Sequence, residues 1–443
     1  MFLRSFKLFA ATLLTILIAV ACGGDSAPAP TGLKVTPGDT SVTVTWDMVD
    51  GVEYWLFYAP TSIAPTDTTS MQKWIGLPGG NTLLKVTSPY LVTGVLNGTT
   101  VLASLVNGTS YSFSVNSRTS GGPGGPGAAA VSATPRIAGS NWVAGAANSS
   151  GSHDLRAVTY SANIVNTTPI STYYISTTTT VTTYVAAGLG GAMYSSPDGV
   201  TWSAINYATS SNLNGASYFG TYKLVGDGGV VLLSSDAITW TAQTTPTTKN
   251  LYAIAGNSLN LNVAVGAGGT IITSPDGVSW SLATNSATSS DLYAVTYSAY
   301  NGGTWVAVGA GGTMVESADG LTWHSVTSNT TVDLHGITSM TTTSTTGVVT
   351  ATFVAVGASG TVLSSTDGSN WVAQVLPGAA TLNAVTYGGQ FVAVGSGGNI
   401  FISTDGLTWT LTAPATSQDL YAVVHGLYLY AAVGAAGTNL LAK

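Results

Sequence analysis

The stretch VAVGAGGTIITSPDGVSW, residues 263–280, carries the pattern that decides the fold of most of this chain. Two short apolar runs are joined by a Gly-rich turn, and a Ser-Pro-Asp-Gly turn then leads into a tryptophan. The last seven residues recur as SPDGVTW (196–202), SSDAITW (234–240), SADGLTW (317–323), STDGSNW (365–371) and STDGLTW (403–409). Successive tryptophans lie 38 to 48 residues apart. A repeat of this period indicates one structural unit copied along the chain.

Each copy contains four strand-like segments. Strand A reads L-x-A-V-x-Y, strand B reads FVAVG, strand C reads GTIxxS, and strand D begins at the tryptophan. Four strands in about 40 residues are the signature of a β-propeller blade.

The two ends of the array complement each other. The last copy, residues 420–443, has strands A, B and C but no tryptophan strand, whereas GSNWVAGA at 139–146 matches GSNWVAQV at 368–375. We therefore predict that residues 139–145 supply the missing strand D of the last blade. This gives an all-β chain whose seven-bladed propeller, residues 136–443, is closed by pairing of its N- and C-terminal strands and has no free radial edge.

The repeated aspartates occupy Asp-Gly turns, in which Gly tolerates a positive φ and the carboxylate can accept backbone hydrogen bonds. An alternative role as acids or metal ligands is weaker, because recurrence in nearly every blade is what a structural turn needs. The copy with Ala237 in place of Gly predicts a slightly different turn. The structural-turn residues are Asp198, Asp236, Asp276, Asp319, Asp367 and Asp405.

These segments resemble the Asp-box repeat of sialidase-like propellers, and the array resembles the propeller of photosystem II assembly factors. The register S-x-D-G-x-[ST]-W departs from the usual Asp box by one residue. The resemblance implies a fold but no activity, since one fold carries many functions. Sialidases hold their substrate with three arginines, whereas this region has only Arg136 and Arg156.

No catalytic residue is assigned, and we expect a protein that is not an enzyme. Within residues 136–443, the acids outside the repeat pattern are Asp227 and Glu316. Four scattered histidines and a single cysteine predict neither a metal site nor a cofactor. A carbohydrate-active hydrolase of sialidase-like architecture remains the alternative, and it requires a carboxylate pair near the channel mouth.

The residue after the Leu that opens strand A varies in chemistry between blades, whereas the residue before that Leu is Asp or Asn in most of them. Strand A is innermost in a propeller, so these side chains should surround one mouth of the channel, where they could hold a cation, a sugar or a basic peptide. Alternatively, the Asp and Asn residues cap the D–A loops and the others pack between blades. The candidate ligand rim is Asp154, Arg156, Asn214, Tyr252, Asp291, Tyr293, Asp333, His335, Asp419 and Tyr421.

Residues 31–135 show the alternation of a β-sandwich. They resemble a fibronectin type III module, with Trp46 in the position of its core tryptophan and Tyr111 in that of its corner tyrosine. GGPGGPG at 121–127 reads as the last hairpin loop, because AAAVSATP after it supplies a final strand. A spacer role is favoured over a binding role.

Residues 1–21 combine two basic residues with an apolar run, which predicts an export signal. Cys22, the only cysteine, follows small residues and precedes a Pro-rich tether at 22–30, and this resembles the lipobox of bacterial lipoproteins. The resemblance implies a lipid anchor at Cys22, and Gly23 after it implies the outer membrane.

Only 7% of the 443 residues are charged and the formal net charge is -7, which argues against a nucleic-acid partner. Taken together, these features predict a monomeric, exported, membrane-anchored platform that binds a cell-envelope protein or glycan without catalysis. A structural or adhesion surface protein is a further alternative.

Overall fold

The computed structural model describes residues 27–442, with interruptions at 39–40, 68, 76, 78–79, 93, 98–99, 120–125, 137–138, 146–152, 167–177, 344–348, 377–379 and 427–428. The predicted signal segment, Cys22 and most of the 121–127 loop lie outside the described residues. The chain divides into two compact units, Met1–Ile137 and Ala138–Lys443. In the described part, no helix is long and apolar enough to cross a membrane.

Where the structure describes the first unit, it contains two antiparallel sheets, a separate hairpin and one short helix. One sheet, in the order β1-β2-β5, consists of β1 (Lys34–Gly38), β2 (Ser41–Thr45) and β5 (Tyr90–Val92). The other, in the order β4-β3-β8-β9, consists of β3 (Val52–Pro60), β4 (Asn81–Leu83), β8 (Tyr111–Thr119) and β9 (Val131–Ala133). The hairpin is β6 (Gly94–Asn97) with β7 (Thr100–Ser104), and the helix is α1 (Met71–Ile75).

An apolar core joins the two sheets of this unit. Val44 of β2, Leu56 of β3 and Phe113 of β8 are fully buried in it, as the alternating strand pattern requires. The hydroxyl of Tyr111 accepts a hydrogen bond from the backbone N–H of Val106 at 3.2 Å. Strand β9 pairs with β8, which confirms the final strand predicted after the 121–127 loop.

The second unit is built from seven four-stranded antiparallel sheets within the described residues. Sheet 1 contains β11 (Leu155–Asn166), β12 (Thr178–Gly188), β13 (Met193–Ser196) and β14 (Ser203–Ala204). Sheet 2 contains β15 (Leu213–Phe219), β16 (Thr221–Gly226), β17 (Val231–Ser234) and β18 (Thr241–Ala242). Sheet 3 contains β19 (Leu251–Gly256), β20 (Asn262–Gly266), β21 (Ile271–Ser274) and β22 (Ser281–Leu282).

The remaining four sheets repeat the same order of strands. Sheet 4 contains β23 (Leu292–Ser298), β24 (Thr304–Gly309), β25 (Met314–Ser317) and β26 (His324–Ser325). Sheet 5 contains β27 (Leu334–Thr343), β28 (Val349–Gly357), β29 (Thr361–Ser365) and β30 (Val372–Val375). Sheet 6 contains β31 (Leu382–Tyr387), β32 (Phe391–Gly395), β33 (Ile400–Ser403) and β34 (Thr410–Leu411). Sheet 7 contains β35 (Leu420–His425), β36 (Tyr430–Gly434), β37 (Asn439–Ala442) and β10 (Trp142–Ala144).

The second and third strands of each sheet are joined by a short 3-10 turn, called here the BC turn. Its tight path explains the repeated glycines: Gly269 has φ 68°, and a Cβ there would lie 2.1 Å from the carbonyl oxygen of Thr288. The BC turns are Leu189–Gly191, Asp227–Gly229, Ala267–Gly269, Ala310–Gly312, Ala358–Gly360, Ser396–Gly398 and Ala435–Gly437, and one further 3-10 turn, Tyr300–Gly302, joins β23 to β24.

The sheets of the second unit contact each other in cyclic order. The first strand of each sheet contacts the first strand of the next, from β11 through to β35, and β35 contacts β11. The segment around Trp142 pairs with the last strand, as predicted, with Trp142 opposite Ala442. The second strands are buried on both faces, as in β20, where Val263, Ala264 and Val265 are all inaccessible to solvent.

Candidate functional site

The repeated aspartates form a network inside each turn. In the copy at 274–280, Oδ1 of Asp276 accepts hydrogen bonds from Ser274 Oγ, Val278 N and Ser279 N at 2.9, 2.8 and 2.7 Å. These donors hold the pKa of Asp276 at about 2, because they stabilise the ionised carboxylate. The same backbone bonds recur at Asp198, Asp236, Asp319, Asp367 and Asp405.

The turn at Asp236 keeps the Ser and Asp hydrogen bonds of the other copies, and it differs from them, as the sequence predicts, only in the bond of its tryptophan. Ala237 takes φ 63°, and its N–H donates to Ser234 Oγ at 2.9 Å, as Gly does in the other copies. The surrounding hydrogen bonds and the packed Trp240 hold the alanine in this left-handed conformation. Among the described residues, the buried Trp240 Nε1 finds no acceptor, whereas Trp280 Nε1 donates to Gly277 O at 3.0 Å.

The Asp and Asn residues that precede strand A connect neighbouring sheets. Oδ1 of Asp291 accepts from Gly268 N in the BC turn of sheet 3 at 2.7 Å, and its carbonyl oxygen accepts from Ala310 N in the BC turn of sheet 4 at 2.9 Å. We call this contact an inter-sheet bridge. It recurs at Asp154, Asn212, Asn250, Asp333 and Asp419.

This geometry differs from a cap on the residue's own D–A loop, since the side chain reaches the preceding sheet. The bridge from Asp154 reaches Ala436 in sheet 7 and so lies at the junction of the first and last sheets. At the seventh junction the position is occupied by Thr381, which has no carboxylate or amide oxygen.

The residues that follow the Leu of strand A contact one another or the next sheet. The ring centroids of Tyr252 and Tyr293 are 5.6 Å apart, and those of Tyr293 and His335 are 5.8 Å apart. We call Tyr252, Tyr293 and His335 the aromatic arc. Elsewhere in this series, the guanidinium of Arg156 lies 5.5 Å from the ring centroid of Tyr421.

Asparagines occupy two further positions of the same series. Asn214 Nδ2 donates to Leu251 O of sheet 3 at 3.1 Å and to Asp227 Oδ1 at 2.9 Å. Asn383 Nδ2 donates in the same way to Leu420 O of sheet 7 at 2.8 Å. The structure therefore brings the predicted rim residues to one set of sheet junctions.

The aromatic arc is half-buried beside carboxylates. Burial raises the pKa of Tyr252 and of Tyr293, and the nearby Asp291 raises both further. Burial lowers the pKa of His335, against the opposing effect of Asp333. At neutral pH the arc consequently presents uncharged aromatic rings next to negative charge.

The two acids outside the repeat pattern lie in different sheets. Asp227 lies in the BC turn of sheet 2 and accepts from the amides of Asn212 and Asn214 at 2.8 and 2.9 Å. Glu316 lies on β25 of sheet 4, where its Oε2 accepts from Ser369 Oγ at 2.7 Å. Of the residues that the structure describes, no three His, Cys, Asp or Glu side chains are grouped to hold a metal ion.

Comparison with known proteins finds structural likeness only. No protein-family model and no curated protein matches this sequence. A catalytically inactive virginiamycin B lyase from Staphylococcus aureus with quinupristin matches with a TM-score of 0.54 and 9% identity, over 68% of this chain and 99% of that one. YCF48 bound to a D1 peptide matches with a TM-score of 0.50 and 15% identity, over 68% and 94% of the two chains.

YCF48 from Cyanidioschyzon merolae matches with a TM-score of 0.50 and 14% identity, over 68% of this chain and 98% of that one. At such low identity the likeness shows the fold alone. The four-stranded sheets and these neighbours together identify a β-propeller.

Proposed function

We propose that this protein is an exported, lipid-anchored platform that binds or assembles a partner of the cell envelope without catalysis. In this proposal Cys22 carries the lipid, a fibronectin III-like module spaces the propeller from the membrane, and the propeller face recognises the partner. The protein acts as a monomer at the outer membrane.

Seven blades in a closed ring are supported by the cyclic contacts of the first strands and by the pairing of β10 with β37. A fibronectin III-like module is supported by two sheets around one core. The bond from Val106 N to the Tyr111 hydroxyl also matches a tyrosine corner, in which the hydroxyl bonds to backbone a few residues upstream.

The observation that carries the binding function is the chemistry of the seven positions after the strand A leucine. Their side chains are Arg, Asn, Tyr or His, with tyrosine in three sheets and asparagine in two, while the turns around them repeat the same bonds. Aromatic rings beside carboxylates suit recognition through stacking and cation–π contacts. YCF48, which has the same fold, is described bound to a D1 peptide, and we propose that this chain likewise binds a protein.

Replacing the aromatic arc tests the platform. We expect the Tyr252→Ala/Tyr293→Ala/His335→Ala variant to lose stoichiometric capture of a partner from envelope extracts while keeping its circular dichroism spectrum. Ile238→Ser, at an exposed position of a repeat turn, is the matched control and should keep capture. Equal capture by both variants would show that the arc is not the binding surface.

The same proteins on a glycan array separate the alternatives. Turnover of an arrayed sugar would favour the hydrolase, and neither capture nor turnover would favour the structural surface protein. For the anchor, Cys22→Ser should release the protein from the membrane fraction of cells. If that variant remains in the membrane fraction, the lipid anchor at Cys22 is wrong.

A further inference from the structure

A polar cleft of about 450 Å³ lies between sheets 4 and 5, and none of the predicted rim residues lines it. Sheet 4 contributes Glu316 of β25 and the segment that includes Ser325 and Asn329. Sheet 5 contributes Ser369, Asn370, Trp371 and Val372, the first residue of β30. We call this the Glu316 cleft.

The cleft is where two departures from the repeat meet. The residue before the turn serine is Glu316 in sheet 4, whereas the other sheets carry Ser, Leu, Thr or Ile there. The residue two before the tryptophan is Ser369 in sheet 5, whereas five other copies carry Val, Ile or Leu there and the segment at Trp142 carries Ser140. The two side chains are 53 residues apart in sequence and are joined by a 2.7 Å hydrogen bond. Since the other copies make the same turn without them, these polar side chains are not needed for the fold.

The cleft offers mainly hydrogen-bond acceptors. The hydroxyl of Ser369 donates to Glu316, that of Ser325 donates to Ala287 O, and the amide of Asn329 donates to Trp371 O. Among the described residues nothing donates to Glu316 Oε1, and the ion pairs, Lys73–Asp67 and Lys85–Glu53, both belong to the first unit. A carboxylate oxygen and side-chain amide oxygens therefore remain available to a ligand rich in donors.

The lip of the cleft is apolar and exposed. Val372 lines the cleft and is 69% exposed, and Val375 of the same strand is 67% exposed. Their strand, β30, has four residues, while the fourth strands of the other sheets have two or three. An apolar lip beside an acceptor-rich cleft fits a long cationic side chain of a polypeptide, with its aliphatic carbons and charged end, better than it fits a small free cation.

We propose that the Glu316 cleft binds an arginine side chain of a partner protein. The guanidinium donates to Glu316 Oε1 and to the amide oxygens, because its planar fork carries five donors and no acceptor. The apolar residues that flank the arginine lie against Val372. This site is separate from the aromatic arc, so it stands or falls independently of the proposed function.

A peptide titration tests the cleft on the full-length protein in detergent. The probe is the blocked peptide acetyl-Val-Thr-Arg-Thr-Val-amide, with citrulline and lysine versions as competitors, and the readout is the Kd from calorimetry. Glu316→Gln keeps an acceptor for Ser369 but removes the charge, and we expect it to weaken arginine-peptide binding at least about tenfold. Ser369→Leu, which restores the repeat residue, should weaken binding similarly.

The matched control is Glu53→Gln, which removes the only other glutamate of the chain and should leave the Kd unchanged. Thermal denaturation verifies that each variant is folded. The proposal is overturned if the citrulline or lysine peptide binds as tightly as the arginine peptide, if Glu316→Gln retains the original Kd, or if the arginine peptide does not bind at millimolar concentration. None of these outcomes depends on the aromatic arc.

Discussion

Two residues of the propeller carry side chains that their repeat positions do not favour. Ala237 replaces a turn glycine and holds a φ of 63°. Lys223 replaces the valine or alanine of the other second strands and is only 1% exposed. In both cases local hydrogen bonds offset part of the cost: Ala237 N donates to Ser234 Oγ, and Lys223 Nζ donates to Thr221 Oγ1.

Ala237→Gly should stabilise the protein by about 1 kcal/mol, because an L-residue with a Cβ is strained in the left-handed region while glycine is not. Urea denaturation measures the difference. The converse control is Gly368→Ala. Gly368 has φ 83°, and an added Cβ would make only ordinary contacts at 3.4 Å and beyond, so backbone strain should account for most of the stability that this variant loses. A lower midpoint for Ala237→Gly would contradict this account.

Lys223→Met should stabilise the protein at neutral pH by about 1–3 kcal/mol. The Lys223 Nζ reaches Thr221 Oγ1 at 2.8 Å but no carboxylate among the described residues, and burial lowers its pKa from 10.5 to about 8. Between these two pKa values the unfolded chain binds more protons than the folded one. The free energy that burying the charged Lys223 costs the folded protein is therefore largest below pH 8 and decreases as the pH rises above it.

Unfolding of both proteins by urea at pH 7 and at about pH 10 measures this effect. The advantage of Lys223→Met should diminish at the higher pH. An advantage that stays constant would show that the packing of the methionine, and not removal of the charge, sets the difference.

At the scale of elements, the inter-sheet bridges convert a repeated sequence into a connected array. Each bridging residue uses its carbonyl oxygen for its own BC turn and its side chain for the preceding one. Asp291 bonds to both Gly268 N and Ala310 N in this way. Such contacts resemble the nearest-neighbour interface terms that stabilise repeat proteins.

Asp291→Ala should lower the free energy of unfolding by about 1–3 kcal/mol, since it removes a charge-assisted bond to a backbone N–H. Thr381→Asp should raise it by about 1 kcal/mol, because Thr381 O already accepts from Ser396 N at 2.9 Å and so shares the backbone position of the bridging residues. Thr381→Val is the control, because it removes the threonine hydroxyl without adding a carboxylate. If Asp291→Ala leaves urea stability unchanged, the bridges do not hold the sheets together.

At the scale of the whole molecule, sheet 7 is assembled from distant parts of the second unit. Trp142 pairs opposite Ala442, donates from Nε1 to Gly139 O at 2.6 Å, and packs with its ring centroid 6.4 Å from that of Tyr430. No short loop connects β10 to β37, so only side-chain packing and the ladder hold this strand in place.

Trp142→Ala should destabilise the protein by about 3–5 kcal/mol and expose β35, β36 and β37 to rapid amide exchange before the other sheets unfold. Trp409→Ala is the matched control, because it removes the equivalent tryptophan from sheet 6, whose four strands are continuous in sequence. This variant should leave sheet 7 protected from amide exchange. Hydrogen exchange measured by mass spectrometry distinguishes the two. Protection of β35 to β37 that survives in Trp142→Ala would mean that the strand does not close the unit.

The number of strands, their order and the turn geometry follow from the sequence because the bonds involved are local. The Ser, Asp, Gly and Trp of one turn lie within seven residues. Each of the six copies of this turn therefore specifies its own conformation by local bonds. The pairing of β10 was also predictable, since the letters around Trp142 repeat those around Trp371. Ala237 escaped such reasoning because the surrounding bonds, and not its own propensity, set its backbone.

Contacts between copies were decided by the tertiary structure alone. The bond from Ser369 to Glu316 spans 53 residues, and the bridge from Ala436 N to Asp154 spans 282. The sequence of one copy does not show which residue of another copy its side chains or backbone groups will meet. The physical reason is that each sheet encodes its own strands, whereas which side chains meet at a junction depends on how two separately encoded sheets face each other.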